Sequence, residues 1–306
     1  MAMVVKWGNS LMDNTVESVR RVGNEHASNT CCHSFGDGQS PEKMQGHWVL
    51  ARAGKRVLRP GGLELTRGML AAMEIGSEDR VVEFAPGLGV TARMVLRKRP
   101  AAYSGIEREQ AAAAHLQKEL ASSFAQIVHA PAEASGLASA CATVVYGEAI
   151  LSMQTMEQKA RIFAEARRLL TTGGRYGIHE LCFTPDASDS TRREIQAEFS
   201  KEIHVGVQPL SSPEWAELFE KNGMEVIWNA TAPMHLLEPV RLLRDEGLWG
   251  GFRVAFNMAR NPLLRRRITA MRRVFRRYQA HLWAISMVGR IAQSQRDRVG
   301  FGEQIA

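Results

Sequence analysis

The sequence predicts an α/β protein built on a doubly wound, mostly parallel sheet. From residue 80 onward, short apolar strands alternate with helical segments. The strand segments are apolar on both faces, as in a sheet that helices cover on both sides. The chain has 306 residues, of which 45% are hydrophobic and 23% charged, a composition typical of a globular protein with a large core. Its length allows one or two domains.

The elements follow from the spacing of apolar and turn residues. Seven strands are predicted at residues 80–85, 102–107, 126–130, 142–147, 174–182, 224–231 and 282–289. Six helices are predicted at residues 62–74, 88–99, 109–121, 156–170, 189–202 and 212–222. An earlier helix is predicted from Trp48 to Arg59, where Pro60, Gly61 and Gly62 end it. Residues 171–174, Thr-Thr-Gly-Gly, predict a turn into the fifth strand.

Residues 234–280 interrupt this alternation and predict a helical insertion before the last strand. One face of it carries the apolar residues Leu264, Ile268, Met271, Phe275 and Tyr278, and arginines fill the opposite face. Insertions over the carboxyl ends of such a sheet usually cover the substrate. We therefore expect a partly flexible N-terminal extension at 1–45 and a single domain at 46–306 with a helical cap at 234–280.

The charge is unevenly distributed. Net charge is +7, and residues 260–298 hold eleven arginines against the single acid Asp297. This block indicates either a solvated helix face or a surface for nucleic acid or another anionic partner, such as a peripheral membrane contact. No apolar run is long enough for a membrane span and no secretory leader is visible, so we expect a cytoplasmic protein.

The four cysteines do not form a disulfide framework. Cys31 and Cys32 stand beside His33 and offer soft metal ligands. Adjacent cysteines are poorly spaced for a tetrahedral zinc site, which favours two intervening residues. We therefore predict no metal site.

The most informative segment is a glycine turn after the first predicted strand. Glu83 ends the strand, and Gly87 and Gly89 follow before the next helix. Glu107 stands at the end of the second strand, where a carboxylate binds ribose hydroxyls in nucleoside-binding βαβ units. A plain packing turn is the alternative. Glu83 favours a cationic ligand over a pyrophosphate, and S-adenosylmethionine (SAM) carries a sulfonium and an ammonium group.

The chain resembles class I SAM-dependent methyltransferases, in particular the small-molecule branch of ubiquinone/menaquinone methyltransferase-like (type 11) enzymes. Residues 83–89, Glu-Phe-Ala-Pro-Gly-Leu-Gly, resemble motif I, and Ile106-Glu107-Arg108 resembles the ribose-binding motif II. Residues 168–175, Arg-Leu-Leu-Thr-Thr-Gly-Gly-Arg, resemble the turn before the fifth strand. The resemblance covers about residues 45–290. It implies a Rossmann-like sheet of seven strands, the last antiparallel, and SAM as cofactor.

The resemblance also implies the cofactor-binding residues. These are Glu83, Ala85, Gly87, Gly89, Glu107, Arg108, Ala132, Glu133 and Glu148. Ala85 replaces the first glycine of motif I, which alanine tolerates if its φ is negative. The acid that reads the adenine amino group in the family is displaced here to Glu133, so Glu133 or the backbone makes that contact.

Methyl transfer mainly requires alignment, and a base only if the acceptor must lose a proton. Glu148, after the fourth strand, and His179, in the fifth, are the candidate catalytic residues. Successive strand residues face opposite sides, so only one of His179 and Glu180 can face the crevice. Candidate substrate contacts are Met153, His204, Met234, His235 and Trp249. For each of these residues a structural role is the alternative.

We therefore expect a SAM-dependent methyltransferase that acts on a small, partly apolar molecule at O, N, S or C. The arginine block keeps an RNA or other nucleic-acid methyltransferase open as an alternative. A non-catalytic SAM-binding protein is the other. The sequence leaves the acceptor undetermined.

Overall fold

A computed structural model describes residues 40–292 of the chain. Within them lie eight strands: β1 (Arg80–Phe84), β2 (Ala102–Glu107), β3 (Ala125–His129), β4 (Ala142–Glu148), β5 (Leu170–Phe183), β6 (Leu210–Ser211), β7 (Met224–Pro233) and β8 (Leu282–Ile291). The helices of the same part are α1 (Gly46–Arg52), α2 (Gly62–Ala72), α3 (Val90–Leu96), α4 (Gln110–Leu120), α5 (Met156–Leu169), α6 (Asp189–Ile203), α7 (Ser212–Lys221), α8 (Pro239–Arg260) and α9 (Pro262–Arg277). The predicted Cys31, Cys32 and His33 motif lies outside the described residues.

The strands form one sheet in the order β3-β2-β1-β4-β5-β8-β7, with β6 paired to β5. β1 to β5 are parallel, whereas β8 runs antiparallel to both β5 and β7. The predicted doubly wound sheet with an antiparallel last strand is therefore confirmed. The sequence missed only β6, because two residues are too short for a periodic pattern.

Two apolar cores lie on the two faces of the sheet. Neighbouring residues of β4 point into different cores: Val145 lies in one and Val144 in the other. Helices α5 and α7 cover the first face through residues such as Phe163 and Phe219, and α2 to α4 cover the second. This two-sided burial explains why the central strands are continuous apolar runs.

The helix predicted over 48–59 was wrong in its second half. α1 ends at Arg52, and Gly54 has φ +98°, which an α-helix does not allow. The backbone N–H groups of Arg56 and Val57 donate instead to Glu246 Oε1 at 2.7 and 2.8 Å. A carboxylate 190 residues away in the chain therefore stabilises an extended segment that local sequence cannot predict.

The predicted turn at 171–174 lies inside β5 as a bulge. β5 pairs with β4 at Leu170 and again at Arg175, so the turn loops out between the two pairings. Gly173 has φ +74°, which glycine adopts without strain. The turn prediction is right locally, although the strand begins before the turn rather than after it.

The predicted insertion is helical and consists of α8 and α9, joined at Asn261. α8 is kinked at Gly247, whose φ of +71° and ψ of 177° are not helical. Asn261 accepts a hydrogen bond from the Leu264 N–H and so caps α9. No helix within residues 40–292 has the length and hydropathy needed to cross a membrane.

Candidate cofactor and acceptor site

A cleft of about 660 Å³ opens at the carboxyl ends of β1, β2 and β4. Its walls are the loop 85–91, the end of β2 with residues 108–109, the 3₁₀ turn 132–134 and residues 148–150. Residues from 43 to 59, before the first strand, close the remaining side. Ligands of doubly wound sheets bind at the carboxyl ends of the strands, so the cleft lies at the usual ligand-binding edge of this fold.

The glycine loop turns through three residues with positive φ. Ala85, Gly87 and Gly89 have φ values of +53°, +57° and +68°. The condition under which alanine would be tolerated without cost, a negative φ, is therefore not met: Ala85 adopts the left-handed conformation at a cost of roughly 1–2 kcal/mol. A Cβ on Gly87 would meet nothing nearer than the Ala85 carbonyl oxygen at 3.9 Å, so this side of the loop is open to the cleft.

Glu107 at the end of β2 joins the glycine loop to the second wall. Its Oε2 accepts from the Gly87 N–H at 3.1 Å, and its Oε1 accepts from the Glu109 N–H at 3.0 Å. Burial raises the pKa of this carboxyl, while both backbone donors favour its charged form. Each oxygen keeps further acceptor capacity, so the carboxylate is oriented to receive hydroxyl donors from the cleft.

Glu83 at the base of the glycine loop is only 4% exposed and still lines the cleft. Its Oε2 accepts from the hydroxyls of Tyr103 at 2.5 Å and Tyr146 at 2.6 Å. Burial raises the pKa of Glu83 to about 7, against the two phenol donors, which lower it. The group therefore gains or loses its proton near neutral pH, and a cation in the cleft favours the charged form.

Glu148 at the end of β4 is the centre of a buried polar cluster. One oxygen pairs with the Arg59 guanidinium and the Thr91 hydroxyl. The other accepts from the Thr66 hydroxyl at 2.5 Å and lies 2.9 Å from His179 Nδ1. Burial opposes ionisation, but Arg59 and His179 outweigh it and lower the pKa of Glu148 to about 2. The carboxylate is therefore charged at every physiological pH.

The two neighbouring ionisable residues of β5, His179 and Glu180, point to opposite faces of the sheet, as the strand alternation predicts. His179 is fully buried, donates from Nδ1 towards Glu148, and leaves Nε2 against Gly61 without a hydrogen-bond partner among the described residues. Glu180 points the other way and accepts from the N–H groups of residues 150, 151 and 152 at 2.8–2.9 Å. His179 does not line the cleft, and Glu180 holds the loop that follows β4.

The remaining predicted cofactor residues surround the cleft. Ala132 and Glu133 line it from the 3₁₀ turn after β3, and Arg108 lines it beside Glu107. Gly89 lies beneath the loop, where a Cβ would come within 2.8 Å of Leu116. The structure thus brings the residues of the two motifs to one edge of the sheet, and Gly89 serves the packing of the loop.

A second, apolar cavity of about 80 Å³ borders the main cleft. His47, Leu58, Ala149, Met153 and Val205 line both cavities, which makes the smaller one an annex of the larger. Behind them the annex is lined by apolar side chains of α6 and α9, including Phe199, Ile203, Met271 and Phe275. The insertion thus reaches the annex and not the main cleft.

The predicted substrate residues fall into two groups. Met153 lines both cavities, His204 lines the main cleft, and Met234 lines the annex. His235 lines neither. Trp249 lines neither and is 87% exposed on the outer side of α8, because its face of that helix turns away from the domain.

Sequence reasoning missed the segment that precedes the first strand. His47 and Arg59 line the cleft, and burial together with Arg108 lowers the pKa of His47 to about 4. Lys43 also lines it, although it lies in the predicted N-terminal extension. The run Arg59-Pro60-Gly61-Gly62 was interpreted as a helix stop. The charged side chain of Arg59 beside this stop was the one feature of the local sequence that pointed to a site.

Within residues 40–292, no group of three His, Cys, Asp or Glu side chains is placed to hold a metal ion.

No known family model matches the chain. An uncharacterised protein of Haemophilus influenzae is 28% identical to it over 216 residues, which are 69% of this chain and 84% of that relative. The crystal structure of MccD protein aligns with a TM-score of 0.61 at 17% identity, covering 76% of this chain and 99% of that one.

Geranyl diphosphate C-methyltransferase from Streptomyces coelicolor A3(2) was solved with Mg²⁺, geranyl diphosphate and S-adenosyl-L-homocysteine. It aligns with a TM-score of 0.55 at 12% identity, over 75% of this chain and 78% of its own. At such identities the likeness concerns the fold. The chain shares the Rossmann-like fold of these structures, as the motifs predicted.

Proposed function

We propose that the protein is a SAM-dependent methyltransferase that acts on a small, partly apolar acceptor. The observation that carries the proposal is Glu107. It ends β2 and is bonded to the Gly87 N–H of the glycine loop, with its carboxylate in the wall of the cleft. A carboxylate in this place is suited to a ribose diol, and the acid Glu83 beneath the glycine loop disfavours the pyrophosphate of a dinucleotide.

The residues present fit this cofactor. The glycine loop leaves open space at Gly87, Glu83 lies beneath it as a group that a cation would ionise, and the cleft of about 660 Å³ has room for a nucleoside and a second molecule. The Arg59 guanidinium in the wall is paired with Glu148 through one nitrogen and has further N–H donors that suit a ligand carboxylate. SAM, when bound, supplies a methyl group on a sulfonium, which is electrophilic without further activation.

The cleft supports catalysis by alignment rather than by a strong base. Glu148 is a poor base because its pKa is lowered to about 2 and Arg59 neutralises it. His179 is buried behind Glu148 and is a positioning residue. Of the imidazoles that line the cleft, His47 has its pKa lowered to about 4, and His204 is the remaining candidate to contact the acceptor. The predicted catalytic pair is therefore replaced in this proposal by a fixed Glu148–His179–Arg59 scaffold.

The annex supports the apolar part of the acceptor. Its lining is mostly apolar and includes Met153, Met234, Phe199 and Phe275, while the carboxylate of Glu180, which also lines it, is bonded to the N–H groups of residues 150–152. An acceptor with a short apolar branch would place that branch in the annex and its reacting atom in the main cleft, since the two cavities share a wall. Because Lys43 lines this cleft, we propose that the domain begins before residue 46.

Calorimetric titration with SAM and with S-adenosylhomocysteine tests the cofactor. Glu107→Gln should weaken both by roughly ten- to a hundred-fold, because the ribose hydroxyls lose a charged acceptor worth about 1.5–3 kcal/mol. Glu78→Gln, an exposed acid in the loop before β1, is the matched control and should bind as the wild type does. Equal affinity of the Glu107 variant and the control would contradict the proposal.

An assay with SAM that is tritiated in its methyl group tests the acceptor. The protein is incubated with this SAM and with separated lipid-soluble, water-soluble and RNA fractions, and the label transferred to each fraction is measured. Label in the first or second fraction supports a small-molecule acceptor, and label in RNA favours the nucleic-acid alternative. SAM binding without transfer to any fraction indicates a non-catalytic SAM-binding protein. For an acceptor that is found, Phe275→Ala should widen the annex and raise the relative rate for a bulkier analogue while leaving SAM affinity unchanged.

A further inference from the structure

The second half of α8 turns its large apolar side chains outward. Leu248, Trp249, Phe252 and Phe256 are 69%, 87%, 69% and 56% exposed. At 100° per residue these four lie within about one third of the helix circumference. We call these four residues the α8 apolar face. An apolar patch of this size, contiguous on one helix face, marks an interaction surface.

The inward side of the same helix combines polar contacts and glycines with two apolar residues of moderate size, Val254 and Met258. Arg253 donates to the Gly54 carbonyl oxygen at 2.8 Å, and Asn257 Nδ2 donates to the Ala53 carbonyl oxygen at 3.1 Å. Gly250 and Gly251 are buried beside them. Val254 and Met258 pack into an apolar cluster on this side, but the four largest apolar side chains of this half of the helix remain outside, whereas an ordinary surface helix buries such residues. This arrangement favours an apolar environment outside the protein.

The charge around the α8 apolar face has one sign. Residues 247–280 contain nine arginines and no acid. The Arg260 guanidinium lies over the Phe256 ring, 4.8 Å from its centroid. Among the described residues, Arg260, Arg265, Arg266 and Arg273 have no carboxylate partner, whereas Arg272 and Arg277 do. Arg260 lies at the end of the apolar face, and the other three follow it along the chain at exposed positions of α9.

We propose that the α8 apolar face and these unpaired arginines form a docking surface for an anionic lipid bilayer. Trp and Phe side chains enter the boundary between headgroups and acyl chains, and arginines beside them pair with anionic headgroups. An RNA surface would combine aromatics with cations in a groove. Here the apolar face lies on one helix rather than in a groove, includes Leu248, and has Arg260 as the cation stacked on its aromatic residue Phe256. The docking does not depend on methyl transfer.

The inner contacts of α8 connect this surface to the cleft. Asp245 and Glu246, just before the kink at Gly247, accept hydrogen bonds from the backbone N–H groups of Leu63, Arg56 and Val57. The segment so held carries Arg59, which lines the cleft. A bilayer that binds the outer side of α8 therefore lies one helix away from a wall of the site.

Sedimentation of the full chain with vesicles tests the docking. The protein should bind vesicles of phosphatidylcholine with phosphatidylglycerol at least tenfold more tightly than phosphatidylcholine alone, and salt should weaken the binding. Trp249→Ser with Phe252→Ser should lower binding by about tenfold or more. Ile227→Ser with Trp283→Ser, which removes apolar area exposed on strands β7 and β8, is the matched control and should not change it.

A charge variant tests the arginines separately. Arg265→Gln with Arg266→Gln should lower binding to the anionic vesicles by about fivefold for each arginine, while Arg67→Gln with Arg97→Gln should not. Circular dichroism and thermal melts confirm that all variants fold. Trp249 should also show a blue-shifted emission that brominated acyl chains quench and that Trp249→Phe removes.

Three results would overturn the proposal. The first is no binding to anionic vesicles above that of phosphatidylcholine. The second is a single-stranded oligonucleotide that binds through the same arginines and that vesicles do not displace, which would make the surface one for RNA. The third is a concentration-dependent dimer that the Trp249→Ser, Phe252→Ser pair abolishes in sedimentation velocity, because the face would then bind a second copy.

Discussion

Glu83 gives a quantitative test of the site because its charge and its burial conflict. The side chain is 4% exposed and its Oε2 accepts from two phenol hydroxyls. Burial raises its pKa from the ordinary value of 4.5 to about 7. The perturbation is Glu83→Gln, which keeps an oxygen acceptor for Tyr103 and Tyr146 and removes the ionisable proton.

The sign of the effect follows from the raised pKa. The folded protein binds the Glu83 proton more tightly than the unfolded chain does, so this group's contribution to stability is complete below pH 4.5 and is lost as the pH rises through 7. A difference of about 2.5 pKa units corresponds to about 3 kcal/mol. About 2.5 kcal/mol of this should be lost between roughly pH 5 and pH 8.5. The glutamine variant does not have this loss.

Urea unfolding of both proteins across this pH range measures the effect. The free energy of unfolding of Glu83→Gln should rise relative to that of the wild type as the pH increases, and Glu78→Gln should show no such trend. A difference between Glu83→Gln and wild type that stays constant with pH would refute the reasoning, because the carboxyl would then not titrate in this range. In a second readout, calorimetry in buffers of different ionisation enthalpy near pH 7 should detect proton release when SAM binds to the wild type only.

Three further results are expected. Ala85→Gly should stabilise the protein by about 0.5–1 kcal/mol, because the left-handed conformation costs alanine roughly 1–2 kcal/mol, and the greater chain entropy of glycine in the unfolded state offsets part of that gain. Thermal unfolding measures the change. A lower melting temperature of the variant would contradict it and would show that the Ala85 methyl group packs well. Glu148→Gln should cost about 3 kcal/mol by leaving the buried Arg59 unpaired, and adding Arg59→Met should recover part of it, so additive effects in this double-mutant cycle would contradict the coupling. Because the pKa of Glu148 is lowered to about 2, its stabilisation is present above pH 4.5 and is lost as the pH falls towards 2, which acid unfolding of Glu148→Gln against wild type checks.

Local patterns were sufficient where a single element fixes its own conformation. The strands and the helices from residue 62 onward follow apolar periodicity and glycine stops, and the structure has them within a few residues. Glu107 was recognisable because a glycine turn and an acid at the end of the next strand occupy fixed places in a βαβ unit. These features depend on neighbours in sequence, and the sequence alone therefore determined them.

Tertiary contacts decided what remained. The segment after α1 is extended because Glu246 takes its backbone N–H groups, and this contact joins residues 190 apart in the chain. The polar cluster at Glu148 forms only when separate elements pack together, so no local sequence pattern predicts it. Its other members are Arg59, Thr66, Thr91 and His179.

The sequence also did not predict that the α8 apolar face points outward. Trp249 and its neighbours have the spacing of an ordinary buried stripe, and the sequence placed Trp249 in the substrate pocket. The structure turns that stripe outward because Arg253 and Asn257 bind the backbone at Gly54 and Ala53 and Val254 packs into an apolar cluster on the other side. The sequence by itself determined the fold and the edge of the sheet at which the cleft opens. Which face of α8 is buried, and which charges meet inside the cleft, depend on packing energies between distant elements.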